Sequence, residues 1–269
     1  DTDGERTEST FHKQNTVLRV AAMKFLYDLI RIPHSQPEKS TSEAERIKEP
    51  DTVPRQDEFV DEKAMLKQSK FPIKPDALIA RTKEVLLAFK DIDNPSMEEL
   101  FSDDFVMCAP FVGGATNATP DDPKPGLPKK NMLGALRGFK LLDAFPDMNN
   151  NYHAFRVDPF EPNRVWYQTR AFGTHTGTLM GKEATGRRLE LPPQAYSMTF
   201  NEAGQVTFFN IGYVIDRTIG NTGGLGGAFG FFYGTGHPLP IPECHPYKPS
   251  WQFATLSWLR TKMEQLGKI

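Results

Sequence analysis

Cysteine is scarce in this chain. Cys108 and Cys244 are the only two among 269 residues, which excludes a disulfide framework and a four-cysteine zinc site; a single bridge between them has no support from spacing. Long apolar runs are missing as well. The longest are short and interrupted, so no membrane span is expected. Nor is there a large excess of charge of one sign: 32 basic against 34 acidic residues give a formal net charge of -2. That balance argues against a broad nucleic-acid-binding face, while leaving room for a local basic patch.

Several familiar motifs are absent too. The run GGLGGAFG at 223–230 lacks the GxGxxG arrangement between a strand and a helix, and no GKS or GKT follows it, so dinucleotide or Walker-type phosphate binding is poorly supported. There is no HExxH, and the serines form no GxSxG. The sequence begins at Asp1 and has no charged-then-apolar leader; a processed mature form with its targeting segment removed, or a shortened start, would account for both. Composition assigns no compartment.

What the chain does contain suits a folded globule: 38% hydrophobic residues, 25% charged residues and 20 Phe, enough to bury a substantial core in one domain with additions or in two small ones. Leu18, Ala22, Phe25 and Leu29 recur at helical spacing, which predicts an N-terminal helix over 16–30 that Pro33 stops. Residues 34–57, rich in Ser, Glu, Lys and Pro, read as a connector. A second helix is expected from Pro75 or Asp76 through Phe89, with Leu78, Val85, Leu86 and Phe89 turned to a sheet. After FSDDFVMCAPF, the segment GGATNATPDDPKPG at 113–126 reads as a loop, and NMLGALRGFKLLDAFPD at 131–147 as one helix ended by Pro146.

Three later runs read as strands: RVWYQTRAFGTHTG, QAYSMTF and QVTFFNIGYVI, the last two joined by a hairpin-like turn at 201–204. Helices ahead of aromatic-rich strands form an α+β order rather than repeated βαβ units. Parity along the first run puts Tyr167, Thr169, Ala171, Gly173 and His175 on one face. His175, flanked by Gly173 and Gly177, suits either a cavity wall, where imidazole can move a proton, or a hydrogen-bonded structural position. In the last run, parity groups Asn210, Gly212, Val214 and Asp216 against Phe209, Ile211, Tyr213 and Ile215. Asp216 therefore has two readings, a carboxylate looking into a pocket and tuned for proton transfer, or a cap on the turn at Thr218 or a partner of Arg217. His153 and Asp158 read as strand edge and turn, with His153 able to enter the same cavity. Lys182, Arg187 and Arg188 form a small positive cluster expected on a solvated turn. His237, Cys244 and His245 lack the framework of a metal site, and none is assigned. WQFATLSWLRTKMEQL is expected as a closing helix that packs Trp251, Trp258 and Leu259.

Taken in order, FSDDFVMCAP, DAFPDM, TRAFGTHTGTLMGKEATGRRLELP, YSMTFNEAGQVTFFNIGYVID and TIGNTGGLGG resemble the SnoaL-like polyketide cyclase family of the NTF2-like superfamily. The likeness covers about residues 76–230, leaving 1–75 as a helical arm and connector and 231–269 as a Pro- and aromatic-rich wrapping tail. It implies an α+β cone in which a strongly curved antiparallel sheet and packed helices enclose an apolar pocket, and a protein that dimerises through the sheet. It implies Asp216 as the base that removes a carbon-bound proton and His175 as the group that orients substrate or polarises its oxygen. Tyr213, on the opposite face by parity, is expected in the core. Trp166, Tyr167, Asn210, Tyr196, His153 and Phe111 are the expected ligand-contacting side chains, with no metal or organic cofactor. The departures, TIGNTGGLGG after the acid and a long tail that could close the cone, keep two other readings open: a non-enzymatic binder of an apolar pigment or lipid, and a dimeric scaffold subunit of a larger assembly. The expected partners are a small apolar or aromatic ligand and a second copy or larger protein assembly.

Overall fold

The structure is a computed structural model and describes residues 58–112 and 126–266. The chain divides into two compact units, residues 56–248 and a second made of residues 1–55 with 249–269. The helix expected over 16–30, the connector at 34–57 and all but the last residue of the loop at 113–126 lie outside the described residues.

In the larger unit, α1 (Glu62–Gln68) starts at Asp61, whose side chain accepts a hydrogen bond from the Ala64 amide at 3.0 Å. α2 (Pro75–Ala88) has proline in its first turn, where the missing N–H leaves nothing unpaired. Its buried Leu78, Thr82, Val85 and Leu86 form one stripe, and the Thr82 hydroxyl donates back to the Leu78 carbonyl at 2.9 Å, so the only polar member of the stripe is satisfied within the helix. β1 (Phe101–Cys108) and β2 (Leu127–Pro128) lead into α3 (Lys129–Phe139) and α4 (Leu141–Ala144). The single helix expected over 131–147 is thus two helices. The chain breaks at Lys140, which is left-handed (φ 45°, ψ 47°), and the break sends Met132 and Leu133 into one core while Ala144 and Phe145 enter another.

β3 (His153–Val157), β4 (Arg164–Thr169), β7 (Gln194–Phe200) and β8 (Val206–Val214) complete a six-stranded sheet of order β2-β1-β8-β7-β4-β3. The hairpin between β7 and β8 forms as expected: Gly204 takes a positive φ of 76°, and the Asn201 side chain accepts from the Gln205 amide at 2.9 Å. β5 (Phe172–Thr174) and β6 (Arg188–Glu190) make a separate two-stranded ribbon. The run 164–177 therefore does not stay in one sheet. Thr169 pairs with Gln194 at the end of the β4–β7 ladder, and Pro192 and Pro193 precede Gln194; neither proline has an N–H with which to extend the pairing. The expected alternation nonetheless survives the break, since Tyr167, Thr169, Ala171, Gly173 and His175 are all buried.

The α+β class stands, but the cone does not. β1 and β8 run parallel, with Val106 opposite Phe208 and Cys108 opposite Asn210, so the sheet is mixed rather than antiparallel. It is also open, ending on β2 and β3. Where the cone would enclose a pocket, this sheet and its helices hold a packed core of Leu78, Val85, Leu133, Tyr167, Met198 and Phe200, each at most 1% exposed. Large side chains from both sides meet in that layer. A second core gathers Ala144, Phe145, Ala171, Leu179, Leu189, Leu191 and Phe231 around the ribbon.

The segment expected to be a wrapping tail is divided. Residues 231–248 belong to the larger unit, through α5 (Gly227–Thr235) and a short turn of 3-10 helix (Pro242–Cys244) that buries Cys244. The rest is α6 (Trp251–Gln265), begun by Ser250, whose hydroxyl accepts from the Phe253 amide at 3.2 Å. Trp251, Trp258 and Leu259 of α6 are exposed rather than packed. Among the described residues, no helix is long and apolar enough to cross a membrane.

Candidate functional site

A cavity of about 970 Å³ lies at the C-terminal ends of β1 and β8, and the glycine-rich segment, α5 and residues 242–248 provide its other walls. The parallel pairing of β1 with β8 brings the two strand ends to the same place. β1 hands over to Ala109 and Val112, which bridge each other (amide to carbonyl, 2.9 and 3.1 Å) and hold Pro110 and Phe111 at the rim. β8 contributes Ile211, Gly212, Tyr213 and Val214 together.

That grouping departs from strict alternation, and Gly212 explains why. It sits at φ 80°, in the left-handed region that glycine enters without steric cost, beside a shift in register on β7 between Ala195 and Ser197. A bulge of this kind re-aims the side chains beyond it. Tyr213, expected in the core, is 41% exposed and lines the cavity; its phenol pKa is raised by burial and, after that, by Cys108.

The glycine segment is close-packed. A Cβ on Gly226 would lie 2.5 Å from the side-chain oxygen of Gln194, so only glycine permits the approach. Gln194 is itself buried, and its Oε1 accepts from the Gly227 amide at 2.8 Å and from the Tyr196 hydroxyl at 3.4 Å. One side chain thereby ties the cavity lip to the sheet interior. Beyond it stands a column of phenols: Tyr196 stacks on Tyr167 with ring centroids 5.4 Å apart, and Tyr152 meets Tyr167 edge-on at 5.9 Å. Burial pushes the Tyr196 phenol up to about 12. Burial raises Tyr167 and Tyr152 as well, so all three remain neutral at physiological pH.

The walls of the cavity are mostly apolar, with Phe111 and Phe229 packed as a tilted pair, ring centroids 5.8 Å apart. The charged side chains are at the rim. Arg217 lies over the ring of Tyr247 at 5.2 Å, Lys248 is next in sequence to that tyrosine, and Glu243 is the carboxylate of the lining.

Asp216 adjoins this rim but is occupied locally. One carboxylate oxygen accepts from both the amide and the hydroxyl of Thr218, at 2.8 and 2.6 Å, and these two bonds hold its pKa below the usual carboxylate value. His175 is fully buried in the second core, stacked on Phe145 at 5.1 Å. Its Nδ1 accepts from the Thr185 amide at 3.2 Å, which assigns the ring proton to Nε2. Burial, and after it His237, lowers its pKa. The structure therefore gives Asp216 and His175 different partners and does not bring them together.

Of the other expected side chains, Tyr167 and Tyr196 meet in the phenol column, and Phe111 lines the cavity. Trp166 donates its indole N–H to Asp158 Oδ2 at 2.7 Å, which fastens the β3–β4 turn. Asn210 stands opposite Ser197 in the sheet, and His153 is exposed with its Nδ1 2.7 Å from the Asn151 carbonyl. The basic cluster has structural partners: Arg187 donates to the Gly234 carbonyl at 3.3 Å and Arg188 covers the Phe172 ring at 4.4 Å. Sequence reasoning missed Val214, Arg217, Tyr233 and Tyr247 as wall residues. For Tyr233 the alternation of glycines with aromatics at 223–233 was an available signal, because close backbone approach and large rings together build cavity walls.

No protein-family model matches this chain, and no curated protein matches it. Among solved structures, it is similar to AclR from Streptomyces galilaeus (21% identity, 49% of this chain and 85% of that one, TM-score 0.37). It is similar to IdmH from Streptomyces antibioticus (23% identity, 49% and 88%, TM-score 0.36) and to a SnoaL-like polyketide cyclase from Agrobacterium tumefaciens (12% identity, 49% and 87%, TM-score 0.35). The likeness is thus one of low identity over about half of this chain, to several structures that include SnoaL-like cyclases.

Proposed function

We propose that this chain binds a small apolar or aromatic molecule in the cavity at the ends of β1 and β8. The observation that carries this reading is the cavity itself: about 970 Å³, walled by aliphatic and aromatic side chains with polar groups at the rim. Ligand sites have this character, with volumes of roughly 300–1,000 Å³.

The test is saturable binding of N-phenyl-1-naphthylamine, a neutral fluorophore that brightens in apolar surroundings, to the full chain and to Ala228→Trp. Ala228 is exposed and lines the cavity, so a tryptophan there fills the space without disturbing the core. Binding by the parent chain and its loss in A228W is the expected result. No saturable binding, or equal binding by both proteins, removes the reading.

A second reading, cofactor-independent proton transfer by a SnoaL-like cyclase or isomerase with Asp216 as base, is supported by the position of that acid next to Arg217 on the cavity rim. Its lowered pKa keeps the carboxylate ionised at neutral pH but also makes it a weaker base. Turnover of small carbonyl compounds by the parent chain, abolished in D216N with ligand binding intact, is the result this reading requires; equal turnover by both ends it.

A further inference from the structure

The rim and the interior of the cavity differ in kind. Inside, Ile211, Val214 and Phe229 offer only hydrocarbon surface. At the rim stand two cations, Arg217 and Lys248, against one carboxylate, Glu243. Among the described residues, no carboxylate forms an ion pair with either cation: the guanidinium of Arg217 instead lies over the Tyr247 ring at 5.2 Å, an arrangement that holds its position while leaving its N–H donors free for a further acceptor. The nearest acid in sequence, Asp216, is committed to Thr218 and does not neutralise its neighbour directly.

Building on the binding role proposed above, we infer that the ligand is an amphipathic acid, a molecule with an apolar or aromatic body and one carboxylate, whose body fills the cavity and whose head is received by Arg217 and Lys248. Guanidinium is the side chain best matched to a carboxylate, since its planar fork offers two parallel N–H donors. An amine head would meet two like charges at the rim, and a neutral alcohol would leave both cations with water only. Glu243 opposes the preference without reversing it, because it is one charge against two.

The experiment uses matched molecules that differ only in the head: decanoate, decanol and decylamine displacing N-phenyl-1-naphthylamine from the full chain at low ionic strength. Decanoate should displace the probe at about tenfold lower concentration than decanol, with decylamine the weakest, the size expected of a charge-assisted pair at a partly solvated site. The advantage should shrink as salt is raised. Arg217→Met and Lys248→Met should each erode it, read within each variant as the ratio of decanoate to decanol needed to displace the probe, with far-UV circular dichroism and a cooperative urea transition reporting that the variants are folded. Should the probe bind normally but decanoate compete no better than decanol, or should R217M and K248M together leave its advantage intact, the acid-ligand inference is overturned while the cavity's binding role stands. If the probe itself does not bind, it is the binding role that fails, and this inference with it.

Discussion

Two spaces in the larger unit invite comparison, the layer between the sheet and helices α2 and α3, and the cavity at the ends of β1 and β8. In the first, apolar residues come at helical spacing from one side and at strand spacing from the other, and the side chains are large enough to meet. In the second, the facing chain is a glycine segment fixed by hydrogen bonds, which brings backbone rather than large side chains to the wall. The contrast teaches that a wall built of hydrogen-bonded glycine backbone, rather than a shortage of apolar residues, accompanies the open space here.

The strongest way to break the comparison is to delete volume from the filled layer. Phe200→Ala should cost about 3–5 kcal/mol by urea unfolding, the usual range for a buried aromatic, whereas Ala228→Trp at the cavity should change stability by less than about 0.5 kcal/mol. A loss in F200A no larger than that of A228W would mean the layer is not closely packed. Next comes the lip. Gly226→Ala places a methyl 2.5 Å from Gln194 Oε1 and should cost about 1–3 kcal/mol; Gln194→Met removes the acceptor shared by Gly227 and Tyr196 and should cost about 1–2 kcal/mol. Both should weaken binding of the neutral probe more than F200A does at equal fraction folded, which is checked by titrating the probe under conditions where each variant is at least nine-tenths native.

A smaller effect is expected from pH. The folded-state pKa of His175 is lowered, chiefly by burial, so the folded protein binds fewer protons there than the unfolded chain. Its contribution to stability is therefore complete above the ordinary value of 6.5 and is lost as pH falls from there through the folded pKa. Unfolding midpoints at pH 7.5 and 5.5 should differ less in His175→Phe than in the parent; an unchanged difference would assign the titration elsewhere. The smallest effect belongs to Asp216, which is half-buried and whose pKa is also lowered: its contribution is present above the ordinary value of 3.8 and lost as pH falls below it. D216N should lower stability slightly at pH 7 and by less as pH falls, so that its thermal melts converge on the parent's as acid is added between pH 5 and 3.

Much of the filled layer was legible in the sequence. The stripe of α2, the hairpin between β7 and β8 and the alternation from Tyr167 to His175 follow from periods of 3.6 and 2, which local spacing records. The layer's consequence was not legible. Nothing in the spacing of Tyr167, Met198 and Phe200 says whether their side chains meet helix residues or stop short of them, and so a pocket was expected where a core stands. Parity also failed at Gly212, since a glycine inside a strand pattern marks a bulge without stating which side chains it redirects. The cavity walls from Arg217 to Lys248 were not legible because glycine and proline suppress any period, and their order rests on contacts such as Gln194 with Gly227 that are far apart in sequence.

The side-by-side, same-direction pairing of β1 with β8 carries one more consequence. The wall they share joins Met107 to Phe209, so roughly a hundred residues must be reeled in before it exists. A nascent or partly folded chain can complete α2 and the β7–β8 hairpin from neighbouring sequence, but it cannot possess a cavity until that long loop has closed, which places contacts of this separation among the slow steps of assembly. Ligand capture would then report on the finished molecule alone, and a bound small molecule would act as a clasp on the most distant joint in the chain.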